Sequence, residues 1–123
     1  MKDVETRSDL ESLMSAFYNK LLQDDSINYI FTDIARINLE EHLPHIVDFW
    51  AQNILGVGNY RNNVLQIHLD LNNKVRLTKE HFDTWLAHFN NTIDEGFAGE
   101  NAEKMKTRAL SIATIMQIKF GDS

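Results

Sequence analysis

The chain has 123 residues, of which 43% are hydrophobic and 10% aromatic, with twelve Lys+Arg against eighteen Asp+Glu and a formal charge of -6. That is core material for one domain over residues 1–123, able to bury roughly two-thirds of its unfolded surface. The acidic balance lacks the clustered positive charge that nucleic acid or anionic lipid would demand, and the absence of cysteine excludes disulfides, thiolate catalysis, zinc ribbons and thiolate-ligated iron.

The N-terminal MKDVETRSD carries no apolar signal stretch. Nowhere do about 18 apolar residues run together, so no membrane span is expected and a reducing, cytoplasmic location fits. Apolar residues recur at spacings of three and four, and alternation of period two is hard to find, which predicts an all-α chain. The first long helix is expected to start at Ser8, where Ser8 and Glu11 spell a capping box, and to bury Leu10, Leu13, Met14, Phe17 and Leu21. A shorter helical piece over 26–34 carries Ile27, Ile30 and Phe31. The next long helix begins near Asn38 and ends before Gly56-Val57-Gly58, with Pro44 in its second turn, where it can bend the helix or delay its start. After a loop at 59–63, a short helix bears Val64, Leu65, His68 and Leu71. Thr78 then starts a helix whose stripe is Phe82, Leu86, Phe89 and Ile93, with Leu77 and Phe82 placed as a hydrophobic staple. The last helix follows Gly99, buries Met105, Ala109, Ile112 and Met116, and stops at Gly121. Short helices beside long ones predict layers with a gap inside, not a regular bundle.

Several polar side chains fall where core is expected. At about 100° per residue, His42 points into the apolar face between Ile46 and Phe49, with His45 at its rim. His68 lies on the buried side of its short helix, four residues after Val64. A lone inward histidine is more often structural than a ligand, but two on different helices among many aromatics favour a shared site. Tyr18 sits one place round from Phe17, and its hydroxyl would need a partner if turned inward; Trp85 flanks the Phe82–Leu86–Phe89 stripe with one N–H to satisfy. His81 and His88 share a helix face as surface or interhelix residues, and are the rivals of His68 as a metal ligand. None of the five histidines has a glutamate three residues before it, which removes the di-iron bundle pattern. His42-Leu43-Pro44-His45 is no zincin motif, and Gly56-Val57-Gly58 is no phosphate loop.

Read in order, these residues resemble the truncated haemoglobins, specifically their group III branch. The resemblance runs from Phe17-Tyr18 and Ile30-Phe31 through His42, Phe49-Trp50, Gly56, Gly58, Tyr60 and His68-Leu69. It continues with His81-Phe82, Trp85-Leu86, Thr92-Ile93, Phe97, Gly99 and Arg108-Ala109. It implies a shortened globin fold, a two-over-two helical sandwich, around haem b. His68 matches the proximal iron ligand, Tyr18, His42 and Trp85 the distal residues over a bound gas, and Phe31 the ring that lies flat on the porphyrin. Trp50, Ile46, Leu65 and Tyr60 complete the cofactor-binding set. The chain departs from the family pattern at Arg61-Asn62-Asn63, in the stretch 70–79, and at Pro44. What the resemblance implies is reversible binding of O2, NO or CO at a five-coordinate iron. Detoxification of NO or peroxidase-like turnover would add an electron-donor reductase as partner. The other reading is a haem-free helical interaction module.

Overall fold

A computed structural model describes residues 1–34, 36, 38–57 and 77–120. The predicted short helix with Val64, Leu65, His68 and Leu71, the loop residues Gly58 and Tyr60, and the terminator Gly121 lie outside the described residues. Among the described residues the regular structure is entirely helical.

Helix α1 spans Arg7–Gln23 and is capped by Thr6, not by Ser8. The Thr6 hydroxyl accepts the Asp9 N–H at 3.1 Å, and the Asp9 carboxylate accepts the Thr6 N–H at 3.1 Å. Asp9 wins this position because its carboxylate also accepts the Glu5 N–H at 2.9 Å and pairs with Lys2 at 2.8 Å. Glu11, its expected rival, reaches only Arg7, at 3.9 Å. The buried face of α1 is Leu10, Leu13, Met14, Phe17, Tyr18 and Leu21.

The piece expected over 26–34 is shorter than its periodicity implied. The Ser26 N–H and hydroxyl both donate to the Asp24 carboxylate, at 2.9 and 2.6 Å, and hold the chain in a turn. A π-helical turn, Ile30–Ile34, follows and carries Phe31. Helix α2, Leu39–Trp50, starts at the expected Asn38 cap, so Pro44 lies inside it without delaying it. A second π-helical turn, Ala51–Leu55, extends α2 to Gly56, whose φ of +71° is the left-handed stop that glycine adopts without strain.

Helix α3, Lys79–Gly96, begins at Thr78 as expected, and Leu77 joins Phe82 in one apolar cluster with Ala113 and Met116. Helix α4, Glu100–Phe120, has its first turn capped from the far end of the chain. Asp3 accepts the N–H groups of Asn101 and Ala102, each at 2.8 Å. Gly99 is required there: its φ is +146°, and an added Cβ would lie 2.5 Å from the Asp3 Cγ. Helix α1 packs on α2 and on α3, and α3 packs on α4, which is the two-over-two sandwich. Its core runs from Val4 through Phe17, Val47 and Trp50 to Phe89, Ile93 and Met105.

Candidate functional site

The sandwich encloses an apolar cleft of about 950 Å³, measured out to its open mouth. Four of its walls come from stripes already fixed by helical periodicity: Met14, Phe17 and Tyr18 on α1, Ile46, Phe49 and Trp50 on α2, Phe82 and Trp85 on α3, and Ile112 and Met116 on α4. The turn with Ile30 and Phe31, and Leu77 before α3, close its ends. Among the described residues, Tyr18, Trp50, His81 and Trp85 are those of this lining that carry a side-chain nitrogen or oxygen.

The aromatic rings form a connected layer behind the cleft. Phe17 meets Phe89 edge-on at 5.1 Å and Trp85 at 5.6 Å. Trp85 stacks on Phe89 at 5.4 Å with 14° between planes, and Trp50 lies on the same Phe89 at 5.3 Å. Such pairs add about 0.5–1.5 kcal/mol each beyond burial, and hold the rings against rotation. Phe31 meets the Tyr18 ring edge-on at 6.0 Å.

Tyr18 is 6% exposed, and its hydroxyl lies 2.9 Å from His42 Nε2. Periodicity puts Tyr18 beside the buried stripe and His42 on the facing helix, and the fold joins them. Burial pushes the phenol pKa up, so Tyr18 keeps its proton and remains a donor. Tyr18, Phe31, Ile46, Trp50 and Trp85 share one cleft, and His42 is bonded to the first of them. His68, Leu65 and Tyr60 lie outside the described residues.

The remaining histidines are engaged elsewhere or exposed. His45 is exposed, at the rim as expected. His88 binds Asp24 across α1 and α3 at 2.6 Å, the interhelix role expected of it. The two Ser26 donors and His88 hold the Asp24 carboxyl down at about 2, with the Ser26 hydroxyl and His88 the leading causes. His81 bridges elements as well, but it also lines the cleft, which the sequence reading of its helix face missed. Its position three residues after the Thr78 cap was the available signal. Helical periodicity places Met14, Ile112 and Met116 in the core and does not distinguish core from the cleft wall that they also form. Among the described residues, no helix is long and apolar enough to cross a membrane.

The chain matches the family of bacterial-like globins over residues 4–118. It is 32% identical over 111 residues to the group 3 truncated haemoglobin ctb of Campylobacter jejuni, covering 88% of this chain and 85% of that protein. The crystal structure of a group III truncated haemoglobin from Campylobacter jejuni superposes with a TM-score of 0.87 at 28% identity, covering 99% of this chain and 97% of that one. A local match of 29% identity over 79 residues falls in protein OPG064 of vaccinia virus, spanning 62% of this chain and 11% of that protein.

Proposed function

We propose, from the premise that this chain belongs to the bacterial-like globin family as a group III truncated haemoglobin, that it holds haem b in the cleft between α1, α2 and α3 and binds a diatomic gas on the side commanded by Tyr18. Globin membership implies haem. The observation that carries the finer reading is the buried Tyr18 hydroxyl, bonded to His42 at 2.9 Å beside an otherwise apolar cavity.

The residues present fit a flat, mostly apolar macrocycle. Phe31, Ile46, Phe49 and Trp50 offer faces and edges but no competing charge, as the mostly apolar linings of cofactor sites do. The ligand assignment of His68 is supported by the engagement of its rivals: both ring nitrogens of His81 sit at hydrogen-bond distance from a partner, and Asp24 occupies Nε2 of His88. His68 would hold the haem iron, which would supply the centre for binding O2, NO or CO.

The chain's own residues then set how long the gas stays. Tyr18 holds a proton at its hydroxyl and offers it to a polar ligand in the cleft. His42, behind it, fixes the direction of that O–H or replaces it in turn. Trp85 is kept from rotating by Phe17 and Phe89, so its indole N–H has one orientation. The aromatic layer excludes water, which strengthens each hydrogen bond inside.

Titration of the purified protein with haemin tests this reading. One-to-one uptake with a sharp Soret band is expected, with the band lost or shifted in His68→Ala and kept in position in His81→Ala. A wild-type chain indifferent to haemin would instead be a helical interaction module.

A further inference from the structure

We propose that His81 is a positioning residue of the cleft, a single imidazole that ties the start of α3 to the wall carrying Phe31. The inference rests on the reading of this cleft as a haem site. Its basis is the use of both ring nitrogens. The backbone N–H of Thr78 donates to His81 Nδ1 at 3.0 Å, which requires a lone pair on Nδ1. The proton of the neutral ring therefore sits on Nε2. That nitrogen lies 2.9 Å from the Tyr29 hydroxyl, a residue 52 positions away in the chain, and donates to its oxygen. The two rings meet at 6.1 Å and 62°, so the contact is edge-on and directional.

Each end of this bridge leads to a cleft wall. Tyr29 immediately precedes the turn Ile30–Ile34, from which Ile30 and Phe31 line the cavity. Thr78 stands between Leu77 and α3, from which Leu77, Phe82 and Trp85 line the opposite side. The His81 ring is itself part of the lining.

Three positions after a threonine cap, glutamate or glutamine suffices to accept the cap's N–H. Histidine performs that task with Nδ1 and has Nε2 left over, and Nε2 is what reaches the other wall. A residue needed only for the helix start has no use for the second bond.

The test separates the two bonds in the haem-loaded protein, by transfer of haemin to an excess of acceptor globin. Tyr29→Phe removes the bridge and leaves the cap. His81→Asn keeps an acceptor near the place of Nδ1 but is too short for Tyr29, whereas His81→Gln places an amide near that of Nε2. Losing one neutral hydrogen bond predicts haemin loss about fivefold faster in Tyr29→Phe and in His81→Asn. The double variant should be no faster than either single one, and His81→Gln should recover most of the wild-type rate. His88→Asn, which breaks the Asp24 bond away from the cleft, is the control: its apoprotein unfolds at lower urea while haemin loss is unchanged. If His81→Asn fails to fold, Tyr29→Phe carries the test alone. Haemin loss at the wild-type rate in Tyr29→Phe overturns the proposal, as does equally accelerated loss in the His88→Asn control, which would show that the rate follows apoprotein stability alone. A wild-type chain that takes up no haemin overturns the cleft reading itself, and is told apart by that.

Discussion

Replacing Tyr18 with phenylalanine removes one oxygen from the cleft and leaves the packing almost untouched, because the Tyr18 ring is held by Phe17 at 5.3 Å and by Phe31. The effect on gas release depends on what His42 does when the ligand arrives. A hydrogen bond from Tyr18 to a partly charged gas is worth about 1.5–3 kcal/mol. If His42 Nε2–H donates to the Tyr18 oxygen, the O–H is already free for the ligand and the whole amount is lost on substitution, roughly ten- to a hundredfold in release rate. If Tyr18 donates to His42 instead, it must first give up a bond of about 1 kcal/mol. The net loss then falls to about 0.5–2 kcal/mol, or roughly two- to thirtyfold. His42→Leu distinguishes the cases by sign. It speeds release in the first, where His42 polarises the hydroxyl, and slows it in the second, where it competes for the proton. The assay is oxygen dissociation from the ferrous haem-loaded protein by rapid mixing. An unchanged rate in Tyr18→Phe refutes the role given to this hydroxyl.

Acid should unfold the chain in a defined window. Lys2 and the Glu5 and Thr6 amides hold the Asp9 carboxyl at about 2, and Asp24 stands at the same level. For Asp3, desolvation pushes the pKa up, but the Asn101, Ala102 and Val4 amides outweigh it and hold it below the usual range. Groups depressed in the folded state stabilise it above their unfolded pKa of about 4, and that stability is lost as pH falls toward 2. Urea midpoints between pH 5 and 2 should drop steeply, and Asp9→Asn should flatten the slope while costing about 1–2 kcal/mol at neutral pH. Gly99→Ala combines a positive φ with a clash against Asp3 and should cost about 1–3 kcal/mol in urea unfolding; a stability equal to wild type would show that the Asp3 cap is dispensable. Phe17→Ala empties the centre of the aromatic layer, and should cost about 3–5 kcal/mol by the same measurement. His68→Ala should abolish the axial spectrum of the haemin complex without lowering apoprotein stability comparably.

The sequence carried the parts of this fold that local chemistry decides. The Thr78 and Asn38 caps, the Leu77–Phe82 staple and the stop at Gly56 each depend on residues within a few positions, and each lies where it was expected. The start of α1 did not, because Ser8–Glu11 and Thr6–Asp9 are equally good local signals. What decides between them is Lys2, whose ammonium pairs with Asp9 from outside the helix. Asp3 capping α4 is a contact between residues 98 positions apart for the Asn101 amide, and no spacing rule reaches that far. His81 bridges elements, as one of its two expected roles has it, but its place in the cleft lining is not legible from its helix face, since its partner Tyr29 lies 52 positions away and no spacing rule reaches that far. The Tyr18–His42 pair was legible as two inward polar residues, but the bond between them depends on how α1 crosses α2.

The cleft and the core are built from the same rings, and this limits which substitutions can inform on function. Phe17 is 2% exposed and Trp50 3% exposed, yet both line the cavity. Truncating either removes packing that stabilises the apoprotein and a surface that would meet the macrocycle, so a loss of haemin affinity in such a variant has two causes. The polar atoms are different. The Tyr18 hydroxyl and the His81 Nε2 contribute about 1 kcal/mol each to folding through a single hydrogen bond, and changing Tyr to Phe or His to Gln preserves most of the volume around them. A site made by opening an apolar seam in a helical sandwich can therefore be dissected at its few heteroatoms, where a substitution removes one hydrogen bond of about 1 kcal/mol and leaves the packing of the rings in place. If Tyr18→Phe destabilised the apoprotein as severely as Phe17→Ala, that division would fail, and Tyr18 would have to be counted as core.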